Sequence, residues 1–267
     1  MRVPESGPAE VSDVAGAVNE LADALARSEE RQRRFLLSVS HELRTPLTAI
    51  RGFAESLADG VVTGDGGADA ASVIVREADR LDRLVADLME LARLDADDFR
   101  LDPTPVDLAA LVADASPVWA ARCVDADVRL DLRAGPTASV RADPRRLRQV
   151  LDGLAENALR MIPPGGPLVL ATGGDAASSW LQVRDGGPGL EPEDYAVVFE
   201  RGVLHDRYRG RRAVGSGGVG LALAHGLVTR MGGTIWAEAA PEGGACFTVA
   251  FPPDRRHQNP KRTASWN

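Results

Sequence analysis

SVSHELRTP, residues 38–46, sets a histidine beside a glutamate and then drops a proline into a stretch whose apolar residues keep a helical rhythm. Leu36, Val39 and Leu43, followed by Leu47, Ile50, Ala54 and Leu57, recur at steps of three and four, the spacing of one face of a helix. His41 lies two residues from both Val39 and Leu43, so at ~100° per residue its ring is expected to point to solvent, away from that face. A neutral imidazole can act as a nucleophile when a neighbouring base takes its other proton, and Glu42 is placed to be that base. Thr45 falls three residues after Glu42 and four after His41, so its hydroxyl shares their side of the helix and can position a water. Pro46 has no amide hydrogen to offer the Glu42 carbonyl and crowds it, which bends the helix one turn beyond His41.

The same rhythm extends in both directions. Upstream, Val14, Val18, Leu21 and Leu25 form a similar seam, and joining it to Leu36 through Glu29 and Gln32 takes two consecutive four-residue steps, a stutter in the coiled-coil register. Residues Met1 to Ala9 are a Pro- and Gly-containing lead-in. Downstream, the glycines of Asp59 to Asp69 mark a loop, after which Ile74, Ala78, Leu81, Val85, Leu88 and Ala92 predict a second amphipathic helix ending near Asp95. Two such helices make a hairpin whose wide apolar stripes leave one side uncovered, so a four-helix bundle built by two chains is expected.

At Asp102-Pro103-Thr104-Pro105 the long periodicities stop and short mixed segments begin, which places a domain boundary there. Val106 to Cys123 reads as helix, Asp127 to Leu132 and Ala138 to Ala142 as strands, and Pro144 to Met161 as a helix opened by proline. Strands follow at Leu168 to Thr172 and Ser179 to Val183. A helix is predicted over Gly217 to Met231, then a strand pair, Thr234 to Ala239 and Ala245 to Phe251, joined by the turn PEGG. The expected architecture is an α+β two-layer sandwich following the all-α hairpin, with a polar tail after it.

Composition excludes several functions. A net charge of −8 argues against a duplex nucleic-acid partner, and Cys123 and Cys246 are too isolated for a disulfide framework or a zinc site. No H-E-x-x-H arrangement is present, and no apolar run approaches the ~18 residues of a membrane span. A reducing, cytoplasmic setting fits.

The second half carries its own chemistry. In VRDGGPGL, Asp185 ends a strand and is followed by Gly187 and Gly189; a fixed carboxylate beside bare backbone can accept from an exocyclic amine such as that of adenine. GSGGVGLALAHGL runs through Gly218, Gly220 and Leu221 into a helix, whose N–H groups and dipole suit an anion. Between these glycine clusters, Arg201, Arg207, Arg209, Arg211 and Arg212 read as a basic lid over phosphates. Asn157, in RLRQVLDGLAENALRM, offers an amide oxygen suited to Mg²⁺, with Arg160 one turn on.

Taken in order, these stretches resemble a sensor histidine kinase of bacterial two-component signalling. SVSHELRTPLTAIRGFAESL is similar to the family's H-box, RLRQVLDGLAENALR to its N-box, VRDGGPGL to its G1 box, VFERG to its F-box and GSGGVGLALAHGLVTRMGGTI to its G2 box. The resemblance implies residues 34–101 as a homodimerising phosphotransfer domain and 102–253 as a catalytic ATP-binding domain of the type shared with gyrase. Residues 1–33 are similar to a HAMP-like linker helix, and 254–267 form a polar tail. It implies that His41 takes the γ-phosphate of ATP, Glu42 is the base, and Thr45 orients water for dephosphorylation of the partner. Asn157 would hold Mg²⁺; Arg160, Asp185, Gly187, Gly189, Gly218, Gly220 and Leu221 would bind the nucleotide. The partner implied is a response regulator, and the longer receptor is anchored in a membrane with this portion in the cytoplasm. The family's second N-box Asn is replaced by Gly153, its second F-box Phe by Gly202 and its final-strand Thr by Cys246, while Met161 and Ile162 stand at the adenine-side wall. With an intact H-box beside these departures, the alternatives are a phosphatase-biased or degenerate kinase, or a non-catalytic dimeric scaffold. A stand-alone ATPase of the gyrase type would need a carboxylate where Gly153 stands.

Overall fold

The computed structural model describes residues 9–94, 99–200 and 219–254. Helix α1, Ala9–Ala58, runs unbroken for 50 residues with Pro46 inside it, crossing the expected linker junction without interruption. Helix α2, Asp65–Leu94, packs back along it. The connecting loop is shorter than the glycines suggested. Gly60 and Gly64 take positive φ values of 67° and 61° to make the turn. Gly66 and Gly67 are already helical: a Cβ at Gly66 would stand 3.1 Å from Val62, so the small residue lets the start of α2 sit close to the loop.

Beyond the hairpin, strand β1 (Thr104–Val106) pairs antiparallel with β3 (Val140–Ala142). The main sheet is built from β2 (Arg129–Ala134), β4 (Pro167–Gly174), β5 (Ser179–Asp185), β6 (Thr234–Ala239) and β7 (Ala245–Phe251) in the order β2-β4-β5-β7-β6. Only β2 and β4 run parallel. Helices α3 (Leu108–Asp125), α4 (Pro144–Met161) and α5 (Val219–Arg230) complete the domain. Two elements lay outside the sequence expectation: β1 and a 3₁₀ turn at Pro192–Asp194. Strand β2 starts at Arg129 because Asp127 takes a left-handed φ of 53° and its carbonyl accepts from Gly165 N–H.

The core explains the architecture. Leu108 and Trp119 of α3, Leu147, Leu151 and Leu154 of α4, Leu227 of α5, and Leu168, Leu170, Leu181 and Phe247 of the sheet are sealed from solvent in one cluster. At about 1.5–3 kcal/mol for each large side chain buried, this layer is the main source of the domain's stability. Asp143 caps α4 through the amides of Arg145 and Arg146, and Asp107 caps α3 in the same way.

The cluster does not stop at the domain boundary. Leu84, Leu88, Leu91 and Leu94 of α2, with Phe35 and Val39 of α1, pack against it, so the sandwich is docked on one flank of its own hairpin. That docking corrects the orientation expected for His41. The buried positions of α1 in this region are Ser38, Glu42 and Pro46, at four-residue steps, and His41 beside them is half-buried rather than fully solvent-facing. The periodicity of one helix cannot register a second domain closing over its flank. Among the described residues no helix is long and apolar enough to cross a membrane.

Candidate active site

The His41 segment is held by its own helix in an unusual way. Ser38 and Ser40 donate their hydroxyls back to the carbonyls of Phe35 and Leu36, both at 2.8 Å, and Thr45 donates to the His41 carbonyl at 3.2 Å. Thr48 does the same to Arg44 at 2.9 Å. Such back-bonding competes with the main-chain ladder, and Pro46 removes one rung outright, so the helix around His41 is weakened locally. Thr45 is exposed, as its proposed water-positioning task requires, although its hydroxyl proton is engaged with the backbone.

Glu42 is only 8% exposed. Its surroundings come from three elements. Burial pushes the Arg160 guanidinium below its ordinary range, with Glu156 and Glu42 pulling it back up and Arg80 and Arg83 pressing it further down. Asp87 is pushed up by burial, opposed by Arg160 and Arg83. The structure therefore gathers Glu42 of α1, Arg80, Arg83 and Asp87 of α2, and Arg160 of α4 into one cross-domain charge cluster. Sequence reasoning had put Glu42 and Arg160 in separate motifs; here they sense each other's charge.

Helix α4 is positioned from behind. Trp119 Nε1–H donates to Asp152 Oδ1 at 2.8 Å, Arg148 Nε grips both oxygens of Asp152, and Arg122 pairs with Glu156 while lying over the Trp119 ring. These ties hold α4 to α3 and leave Asn157 half-buried on another side. A Cβ at Gly153 would meet nothing within 4 Å, so the position one turn before Asn157 is open space.

Asp185 sits at the end of β5, 3% exposed. Its Oδ1 accepts from Gly187 N–H at 2.9 Å, and Gly244 N–H donates to its carbonyl at 3.1 Å. A Cβ at Gly187 would stand 2.7 Å from the carboxylate and 2.8 Å from the Met161 carbonyl, while one at Gly244 would collide with the carboxylate. Gly189 has a φ of 69°, and the following Leu190 N–H donates to Tyr195 Oη at 3.2 Å. The loop is thus pinned by Tyr195, and the glycines keep side chains away from a buried carboxylate. Neither Tyr195 nor Gly244 was found from sequence: Gly244 read only as part of a hairpin turn, and Tyr195 had no motif around it.

At the start of α5, Gly220 faces open space and Leu221 is half-buried. Gly218 and the arginines 201–212 lie outside the described residues. A purine base fits a buried carboxylate walled by glycine, since only backbone approaches it closely. Among the described residues no cluster of His, Cys, Asp and Glu could hold a metal by itself. The single amide oxygen of Asn157 suits an ion carried mainly by phosphates and water, as Mg²⁺ is.

Comparison with known proteins gives these geometries relatives. Residues 31–97 match the family described as the His Kinase A (phospho-acceptor) domain, and residues 142–255 the family of histidine kinase-, DNA gyrase B- and HSP90-like ATPases. Over 95% of its length the chain is 36% identical to the signal transduction histidine-protein kinase AfsQ2 of Streptomyces coelicolor, covering 49% of that protein. It is 32% identical to the signal transduction histidine-protein kinase BaeS of Escherichia coli, with 95% of the chain and 54% of BaeS aligned. The chain thus spans about half the length of these relatives. Among solved structures, the histidine kinase AdeS of Acinetobacter baumannii aligns over 80% of this chain and 98% of its own, at 26% identity and a TM-score of 0.61. Full-length ShkA in complex with AMPPNP aligns over 83% and 45%, at 29% identity and 0.58. ThkA in complex with the response regulator TrrA shares the fold, covering 87% and 67% at 20% identity and 0.63.

Proposed function

The chain belongs to the bacterial two-component sensor histidine kinases, and from that premise we propose that it phosphorylates its own His41 from ATP and passes the phosphoryl group to an aspartate of a response regulator. The observation that carries this reading is the buried Asp185 carboxylate in its glycine cradle, on a domain docked against the helix that bears His41. Asp185 accepts from the adenine amine, and the backbone at Gly187 and Gly244 lets the ring approach. Asn157 lends its amide oxygen to Mg²⁺, and Arg160 offers its guanidinium to the phosphates. Bound ATP would supply the phosphoryl group, and Mg²⁺ held by Asn157 would lend charge neutralisation to the phosphates.

His41 attacks the γ-phosphorus through one imidazole nitrogen, the bond from that phosphorus to the β,γ-bridging oxygen breaks so that ADP leaves, and Glu42 accepts the proton from the other nitrogen. Burial of Glu42 beside Arg160 keeps bulk water from that carboxylate. Such a reaction rests on positioning and charge compensation, which a docked sandwich provides. The homodimer, with the hairpins forming a four-helix bundle, is part of the proposal, as are the HAMP-like role of the first 33 residues and the anchoring of the longer protein in a membrane with this portion in the cytoplasm. The exposed leucines of α1 support the dimer.

A second reading has its own support. Thr45 is exposed one turn from His41, and Gly153 leaves a gap where the family carries Asn, so ATP use is weakened relative to Thr45-assisted dephosphorylation of the regulator. The test is a pair of assays on one preparation. Asn157→Ala is expected to lower self-labelling from γ-labelled ATP by at least about 100-fold, the scale of losing a group that places the reacting phosphate. Thr45→Ala is expected to slow dephosphorylation of phosphorylated receiver domains drawn from a panel. Undiminished labelling in Asn157→Ala counts against the metal assignment; undiminished dephosphorylation in Thr45→Ala counts against the second reading.

A further inference from the structure

The interface between hairpin and sandwich has a fastening at each end of α4. At the N-terminal end, the Glu90 carboxylate of α2 accepts from both Arg146 and Gln149, which stand three residues apart on α4, and Arg146 also donates to Gln149 Oε1 at 3.1 Å. Glu90 is 15% and Arg146 32% exposed, so the pair is partly withdrawn from water and is stronger than a surface ion pair. The Arg146 guanidinium also lies 5.2 Å over the Phe99 ring, in the segment between α2 and the sandwich. Beside it, Arg230 Nη2 donates to the Leu94 carbonyl at 2.5 Å, capping the C-terminus of α2. A Cβ at Gly226 would stand 2.9 Å from Leu94 Cδ1, so α5 lies close against the end of α2.

At the other end of α4, about 21 Å away at ~1.5 Å per residue, Arg160 reaches the charge cluster around Glu42. The helix is therefore a rigid spacer between the Glu90 clasp and the His41 segment. A slip of one turn along α2 would displace its far end by ~5.4 Å. Reacting atoms must come within ~3–3.5 Å, so such a slip abolishes productive geometry. Hydrophobic contact between α2 and the sandwich is non-directional and tolerates sliding; a carboxylate shared by two donors does not.

We propose that Glu90 is a positioning residue for phosphoryl transfer: by gripping Arg146 and Gln149 it fixes the register of α4 on α2, and so the level at which Asn157 and Arg160 meet His41. The role in transfer rests on the kinase reading above; the role in register does not. Both are tested on the whole chain. Glu90→Ala and Glu90→Gln are expected to lower kcat for self-phosphorylation about tenfold, while the KM for ATP and the affinity for a fluorescent ATP analogue stay within about twofold. The reversed pair Glu90→Arg with Arg146→Glu is expected to recover kcat to within about threefold of the parent, where each single reversal does not. Spin labels at Asp82→Cys of α2 and Thr229→Cys of α5, which packs on α4, diluted with unlabelled chain, report how the sandwich is seated along α2, and Cys123 and Cys246 are buried away from the label. Their distance distribution is expected to broaden in Glu90→Ala and narrow again in the reversed pair. Unchanged or raised kcat in Glu90→Ala, a reversed pair that binds nucleotide but does not recover, or an unaltered distance distribution each overturns the proposal. A parent chain that never labels itself yet shows the Glu90-dependent distances sinks the kinase reading and leaves the register in place.

Discussion

In the sandwich, Leu108, Leu147, Leu151, Leu154, Leu168 and Leu181 are closed to solvent; along α1, Leu21, Leu25, Leu36 and Leu47 are more than half exposed. The two regions complete their packing differently. Three helices and a five-stranded sheet, joined by Leu91 and Leu94 of α2, close a core within one chain. The hairpin's outward stripe, joined on α2 by Val85 and Met89, stays open, and the proposed second copy would cover it. The proposed site is distributed across this divide: Asp185 and its glycines stand on the sandwich, and His41 stands on the hairpin, whose outward stripe is open.

The contrast can be broken at either side. Leu154→Ala removes a fully buried side chain from the sandwich and is expected to destabilise it by about 2–5 kcal/mol, independent of protein concentration. A concentration-dependent loss in urea titrations would show that the sandwich also relies on association. Leu36→Ala acts on the open stripe and is expected to weaken self-association about tenfold in analytical ultracentrifugation, the worth of one large side chain's burial, with the sandwich's unfolding unchanged. An unaltered monomer–dimer equilibrium would place the dimer contact elsewhere. Gly153→Ala, where nothing stands within 4 Å, is expected to stabilise α4 by about 0.5–1 kcal/mol, read as a rise in the thermal midpoint. A fall would mean that the gap is occupied in solution.

The smallest effect concerns the junction itself. Burial holds the Asp87 carboxyl above its usual range despite Arg160 and Arg83. Between the unfolded chain's carboxylate value and that raised value, the folded chain binds more protons, so stability falls as pH rises through this window. Asp87→Asn is expected to flatten the slope. Identical pH profiles for parent and variant would put Asp87 in water, outside the interface.

Much of this was legible in the residues alone, for reasons that differ by region. The hairpin announced itself because helical periodicity repeats over many turns, and the turn after β5 because glycines are spaced where only backbone fits beside Asp185. Pro144 marked the start of α4, and the strands from β4 to β7 were bounded by their turns. What stayed hidden depends on contacts between distant segments. Glu42 shows no sign in its neighbourhood that a domain will close over it, and nothing around Glu90 points to Arg146 and Gln149, some 56 and 59 residues on. Tyr195 and Gly244 likewise complete the Asp185 loop through folding, not through a motif. Hydroxyl back-bonding at Ser38, Ser40 and Thr45 adds a physical reason for the segment around His41 to bend that Pro46 alone suggested only in part.

The central claim is that His41 is the phosphoacceptor of a chain that uses its own nucleotide site. Incubation with γ-labelled ATP and Mg²⁺, followed by acid and base treatment of the labelled protein, addresses it directly. The account predicts a label that is lost in acid, survives base as a phosphoramidate does, and is absent from His41→Gln while that variant still binds nucleotide. A label of the same stability persisting in His41→Gln would contradict it.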